Sequence, residues 1–438
     1  MLQSFTERKV EMRERGRWQI GAMAAVGLVL LGLIGCIQAV SQGQAEALSQ
    51  STPKREQITM KKGSEVNPEL VAANTRFGFK LFSEVLKQNQ NKNVFVSPSS
   101  VAIALAMVYN GANGTTQAAI AKALELNGIT LAELNQANAD LQVLLQNPDP
   151  KVQLAIANSL WARQDVPLKP DFLQRNQQFY GAEINNLNFN DPQAIKIING
   201  WVKENTRGKI EEIVDSISPM DVLFLINAIY FKGDWTQPFD KTLTADRPFF
   251  RADGSQKSHP MMSQQGDSRY LETEQFQAVS LPYGERRRMS MYILLPKKAA
   301  PITDLYQKLT AENWQQWVTQ FRSRPGSVQI PRFKLEYEIE LRRALSALGM
   351  ADTFDASKAN FSGMSDLQTH IDQVRHKTFV EVNEEGTEAA AVTSIGIRAT
   401  SATLDEPFTM VVDRPFFCAI RDNQSGSVLF MGAIVDPQ

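Results

Sequence analysis

The chain has 438 residues, 43% of them hydrophobic and 21% charged, with a formal net charge of −1. That balance is ordinary for a soluble globular protein and gives no basis for a nucleic-acid partner or a strongly acidic substrate. Two cysteines, Cys36 and Cys418, cannot build a disulfide framework, so a hydrophobic core must hold the fold, in a length that would suit two or three average domains.

Residues 1–19 carry Arg8, Lys9, Arg13, Arg15 and Arg17 against Glu7, Glu11 and Glu14. Residues 20–40 are then apolar and uncharged, with Gln38 the one strongly polar side chain. A basic flank before such a run fits a signal sequence or a membrane-spanning helix. Leu33-Ile34-Gly35-Cys36 also resembles the lipobox of bacterial lipoproteins, where Cys36 would be acylated, although apolar residues continue past it. Lipoprotein, uncleaved signal anchor and simple secretion stay open. All three put the globular part outside the cytoplasm, periplasmic or extracellular, and the first two tether it to a membrane. Residues 41–66 are polar without an apolar period and read as a flexible tether.

From Pro68 to Gln88 the apolar residues Leu70, Val71, Phe77, Leu81, Val85 and Leu86 recur near helical spacing, with Pro68 suited to a first turn. Val94-Phe95-Val96 predicts a short strand, and an apolar helix over 101–109 follows with Ser100 placed to cap it. Val152, Leu154 and Ile156 alternate in a strand that reaches Trp161. Asp191-Pro192 opens a helix to about residue 207, with Ile195, Ile198, Trp201 and Val202 on its apolar face. Residues 222–226 form a continuous apolar run, as in a strand covered on both faces. Asn227 ends that run and needs a partner, because an unpaired buried amide costs about 1–3 kcal/mol.

Val328 and Ile330 alternate on even positions, then Phe333, Leu335, Tyr337 and Ile339 on odd ones, a parity switch that suggests a bulge or bend at Pro331-Arg332. Two strand-like runs, 415–420 and 428–434, close the chain, with Cys418 in the first as a small buried hydrophobe. His259 and His370 have no metal-ligand spacing. No Gly-x-Ser-x-Gly elbow, His-Glu-x-x-His, Cys-x-x-Cys or P-loop occurs, so the residues give no support to an enzyme and imply no cofactor or metal.

The stretch 384–401 stands apart. Thr387, Ala389, Ala391, Thr393, Ile395, Ile397 and Ala399 are small, β-branched or apolar, while the alternate set holds the charges of Glu388 and Arg398. A period of two is that of a half-buried strand, yet Gly386 and the run of small residues suit a long exposed loop equally well. No proline lies between Gly386 and Glu406, so every position keeps the N–H that a central strand must donate.

Glu384-Glu385-Gly386-Thr387-Glu388-Ala389-Ala390-Ala391 is similar to the hinge of the serpins, a family of serine-protease inhibitors. Segments 93–100 (NVFVSPSS), 227–235 (NAIYFKGDW), 376–383 (HKTFVEVN) and 413–417 (DRPFF) recur in that family's order, so the resemblance covers nearly everything after the N-terminal segment. It implies an α+β serpin fold over 67–438, with three β-sheets, eight or nine helices and an exposed reactive-centre loop at about 384–406. Ser97, Ser100, Asn227, Trp235, Arg332 and His376 fall at the family's shutter and breach, where the main sheet must part. His376 is nominated as the partner of Asn227, and Arg332 as the partner of Glu384. The implied activity is suicide inhibition by a monomer, in which a target protease forms an acyl-enzyme on the loop, which then inserts into the sheet; a non-inhibitory binding or chaperone-like surface protein on the same fold is the alternative. About fourteen inserted residues at about 3.3 Å each cross a domain-sized sheet. Family spacing puts the scissile bond at Thr400-Ser401, which suits an elastase-like or subtilisin-like pocket. Arg398-Ala399, two bonds earlier, would suit a trypsin-like one.

Overall fold

The computed structural model describes residues 66–146, 148–298, 300–387 and 406–438. Helix α1 (Pro68–Gln88) is followed by strand β1 (Val94–Val96), helices α2 (Pro98–Tyr109), α3 (Gly114–Ala123) and α4 (Leu131–Gln146), and strand β2 (Val152–Arg163). Next come α5 (Pro170–Tyr180), β3 (Glu183–Leu187), α6 (Gln193–Asn205) and β4 (Leu223–Asp234). Four strands follow, β5 (Ala245–Phe250), β6 (Gln256–Glu272), β7 (Phe276–Tyr283) and β8 (Met289–Pro296), then helices α7 (Ile302–Lys308) and α8 (Ala311–Gln320). The chain ends through β9 (Arg322–Pro331), β10 (Phe333–Glu340), α9 (Arg342–Leu345), β11 (Gln373–Val382), β12 (Gly386–Thr387), β13 (Phe408–Val411), β14 (Phe416–Asp422) and β15 (Val428–Ile434).

Helix α1 starts where its sequence says it should: the Asn67 side chain accepts the N–H groups of Glu69 and Leu70, and Pro68 occupies the first turn. Leu70, Phe77, Leu81 and Val85 are buried along one stripe. Helix α2 begins three residues earlier than expected, with Ser97 at the N-cap, so Ser100 lies inside the first turn and is no cap. Its apolar residues are buried around the whole circumference, as befits a helix in the middle of the core.

Hydrogen bonding links the strands into a nine-stranded and a six-stranded sheet. The larger is two sheets that share one long strand. β6 pairs with β5 over Gln256–Met261, with β9 over Met261–Tyr270, and with β7 over Arg269–Glu272. Where three sheets are expected, hydrogen bonding among the described strands makes two, because β6 joins two of them into one continuous sheet. The parity switch at Pro331-Arg332 has the same kind of cause. It is no bulge, because β9 ends there in one sheet and β10 begins at Phe333 in the other.

The six-stranded sheet runs β10-β11-β12-β4-β2-β3. β4 is buried from Leu223 to Phe231, as a strand covered on both faces must be. Leu225, Ile229 and Phe231 point into the main core, while Phe224, Ile226, Ala228 and Tyr230 belong to a second cluster with Ile198 and Val202 of α6. Helix α6 thus lies across one face of this sheet. Below their upper ends β4 and β11 are direct parallel neighbours, paired from Phe224↔Gln373 to Tyr230↔Phe379. This seam positions the site.

Candidate functional site: the seam, its two locks and the loop root

At the top of the seam β12 is wedged between the two strands, antiparallel to both, with Thr387 opposite Val382 of β11 and Gly233 of β4. The hinge is therefore not all loop, since Gly386 and Thr387 are already a strand of the sheet. Gly386 must be glycine, because a Cβ there would overlap the Gly233 carbonyl oxygen. The turn leading into it is fixed by Asn383, whose side-chain oxygen accepts the N–H groups of Glu385 (3.1 Å) and Gly386 (3.3 Å). Thr387 is fully buried and its hydroxyl lies 2.8 Å from that of Tyr283.

The root of the loop is pinned by charge and by Trp235. Glu384 is buried, and its carboxylate accepts from Arg332 Nε (2.7 Å), Arg332 Nη2 and the Thr244 hydroxyl. Burial alone would raise its pKa, but the hydrogen bonds from Arg332 and Thr244 outweigh it and hold the carboxyl below the usual range. The pair is not the surface contact that a lone Arg and Glu would make, since Arg332 is partly exposed while its partner is not. Trp235 is buried and stacked on Tyr283 at 4.3 Å between centroids, and its indole N–H donates to the Asn383 carbonyl at 2.9 Å. The Trp235 backbone N–H donates to the Glu385 carbonyl at 2.8 Å. Lys241 pairs with the Glu385 carboxylate.

Halfway down the seam Asn227 and His376 sit on the same rung, both completely buried. His376 Nε2 accepts the Ser97 backbone N–H at 2.9 Å, which requires the ring proton on Nδ1, where it is donated to Asn227 Oδ1 at 2.5 Å. Burial pushes the ring's pKa down to about 3, with the Asn227 bond pulling weakly the other way, so the imidazole is neutral. Asn227 Nδ2 donates to the Ser100 carbonyl and hydroxyl oxygens and to Asn158 Oδ1. One network thus spans β2, β4, β11 and the start of α2. Ser97 serves it through its backbone, while Ser100 uses both its carbonyl and its side chain.

The structure brings together Ser97, Ser100, Asn227 and His376 in one lock, and Trp235, Arg332, Glu384 and Glu385 in another. Glu388, Ala389, Ala390 and Ala391 of the hinge, the two candidate bonds at Arg398-Ala399 and Thr400-Ser401, and Cys36 lie outside the described residues. Sequence reading missed Asn158, Thr244, Tyr283 and Asn383. Asn158 carried a signal, since Asn158-Ser159 interrupts an otherwise apolar run in β2. Thr244 and Tyr283 carried none, because only the tertiary fold brings them to the root.

The other two histidines have structural partners. His259 Nε2 lies 2.6 Å from the Arg332 carbonyl, and His370 Nε2 lies 3.0 Å from Asp372. Cys418 is buried, and burial raises its thiol pKa to about 12. Among the described residues no group of His, Cys, Asp or Glu side chains could hold a metal ion, and no helix is long and apolar enough to cross a membrane.

A family model described as serpin (serine protease inhibitor) matches residues 72–437. The leukocyte elastase inhibitor of Bos taurus is 38% identical over 387 residues, which span 84% of this chain and 100% of that protein. Serpin B8 of Homo sapiens is 36% identical over 378 residues, with 84% and 100% covered. Among solved structures, the native state of tengpin, a thermophilic serpin, is similar at a TM-score of 0.79 and 32% identity, covering 85% of this chain and 95% of that one. A wedge strand above a closed parallel seam, two polar locks across it and a family match over the whole folded region lead to one conclusion: the chain belongs to the serpin family.

Proposed function

We propose that this protein is an irreversible inhibitor of serine proteases, acting as a substrate whose cleaved loop becomes a strand of the six-stranded sheet. The observation that carries the reading is the position of β12 between β4 and β11. Continuing both of its registers downward would bring residue 393 opposite Asn227 and His376 together, and residue 396 opposite Phe224 and Gln373 together. The two flanking strands thus agree on one slot of one length. Thr387 fixes the phase of the alternation, since it faces the main core beside Tyr283. Positions 389, 391 and 393 would follow it inward, and the sequence supplies Ala389, Ala391 and Thr393 there. Positions 388 to 394 on the other parity would turn toward α6.

The covalent step needs nothing from this chain except a bond to attack. The target's serine adds to the scissile carbonyl, the amine leaves with the C-terminal peptide, and the acyl-enzyme stays on the inserting strand. We assign the bond to Thr400-Ser401, supported by family spacing and by similarity to proteins named elastase inhibitors. Arg398-Ala399 is the alternative, for a trypsin-like target. The N-terminal residues 1–40 are proposed as an export segment, with residues 41–66 a tether.

The test mixes the protein with an elastase-like, a subtilisin-like and a trypsin-like protease. A complex that survives denaturing electrophoresis, with a released peptide beginning at Ser401, is the expected result. A peptide beginning at Ala399 moves the bond to Arg398, and loop cleavage with no complex for any protease overturns inhibition. Export is tested by cell fractionation of the full chain beside Cys36→Ser: an unchanged membrane fraction rules out lipidation, and a cytoplasmic protein rules out export.

A further inference from the structure

The seam has a third fastening, at the end opposite β12. The Asp372 carboxylate, one residue before β11, accepts two backbone N–H groups at the start of β4 through Oδ2, from Val222 at 2.6 Å and Leu223 at 2.9 Å. Its own N–H donates to the Leu223 carbonyl at 3.1 Å. The other oxygen faces His370 Nε2 at 3.0 Å, and both side chains are mostly buried. Val222 is held from the far side as well, since its carbonyl accepts the Arg163 N–H of the neighbouring strand β2. The last parallel rung of the seam is Phe224↔Gln373, so this contact lies just past the ladder and closes it with a side chain.

We infer that Asp372, oriented by His370, is a positioning residue that sets how readily the sheet completes its expansion. In an antiparallel ladder each strand offers carbonyls to the N–H groups beside it. Extending the β12 register would bring residue 397 opposite Leu223, where the Asp372 carboxylate already occupies the N–H. The carboxylate therefore stands in for the missing strand at the final rung and must be displaced before the slot is filled to its end. Being charge-assisted, these bonds resist displacement more than an amide carbonyl would.

This inference rests on the insertion mechanism proposed above, and the experiment separates the two. The full-length protein and its variants are mixed with a protease that cuts the loop. Loop cleavage is followed by peptide release, and insertion by the fluorescence change of Trp235 and the other tryptophans. Asp372→Ala is expected to leave the cleavage rate unchanged and to speed insertion several-fold. It should lower the thermal midpoint of the uncut protein but not of the cut one, where the contact is already lost. Asp372→Asn, which keeps an acceptor without the charge, should fall between, and His370→Ala should give a smaller acceleration. Should Asp372→Ala fail to fold, these two milder variants carry the same comparison. If wild-type cleavage brings no gain in thermal midpoint, the insertion mechanism fails and the inference with it. If wild type inserts and the variants keep its pace, or lose stability equally before and after cleavage, only the role of Asp372 is overturned.

Discussion

His376 is neutral because two fixed partners and complete burial leave no room for a second proton. Its pKa falls from 6.5 in an unconstrained chain to about 3 in the fold, so unfolded molecules bind the extra proton across that interval. Stability is therefore complete above the unfolded value and declines as pH drops below it. Between neutrality and about pH 5 the loss should approach on the order of 2 kcal/mol, read as a falling thermal midpoint that His376→Gln abolishes. Glu384 works in a more acid window: its lowered pKa contributes stability above the unfolded value of 4.5, lost as pH falls through the folded one. Asn227→Ala should cost about 2–4 kcal/mol by denaturant titration, since it strips partners from His376, Asn158 and Ser100 at once. Much of this was legible. Asn227 declared itself as an amide ending an apolar run, whereas the burial of Glu384 beneath Thr244 did not, because nothing near Glu384 in sequence covers it.

The elements were legible wherever one period ran uninterrupted. Helix α1 has the bounds that its apolar spacing dictates, strand β4 is covered on both faces as its apolar run implied but continues past Ile226 to Asp234, and α6 buries Ile198 and Val202 as expected. The misses came where a local pattern had two physical causes. The parity break at Pro331-Arg332 is the passage from one sheet to another, which a single strand's pattern cannot distinguish from a bulge. The hinge was legible as a strand but not as one already begun. Its inward phase gives a sharp prediction: Thr387→Arg would drive a guanidinium into the core beside Tyr283, where no room or partner awaits it. Because the wedge is the nucleus of any longer strand, that variant should be cleaved as fast as wild type yet form little or no denaturant-stable complex. Undiminished complex would show that insertion does not pass through this register.

Taken whole, the molecule holds its six-stranded sheet with one strand, β12, only two residues long. Filling the slot would add ladder hydrogen bonds on both sides at about 1 kcal/mol net each, a total on the order of 10 kcal/mol beyond what the uncut form has. Cleaved protein should thus unfold at a much higher temperature than intact protein, and equal midpoints would sink the idea that the cleaved loop fills the slot. Sheet sharing through β6 was not legible, since it depends on one seventeen-residue strand finding three different partners along its length. The placement of the C-terminal strands has a practical consequence. β14 lies between β8 and β15 in the interior of the nine-stranded sheet, β15 is covered in turn by β1, and Phe416, Phe417, Leu429, Phe430 and Met431 are all completely buried. A cut anywhere in residues 388–405 severs the chain but not the particle. The C-terminal fragment should remain in place through gel filtration, and an affinity handle fused after Gln438 will purify spent inhibitor as efficiently as fresh. Every preparation therefore has to be judged for intactness under denaturing conditions before its inhibitory capacity is given a meaning.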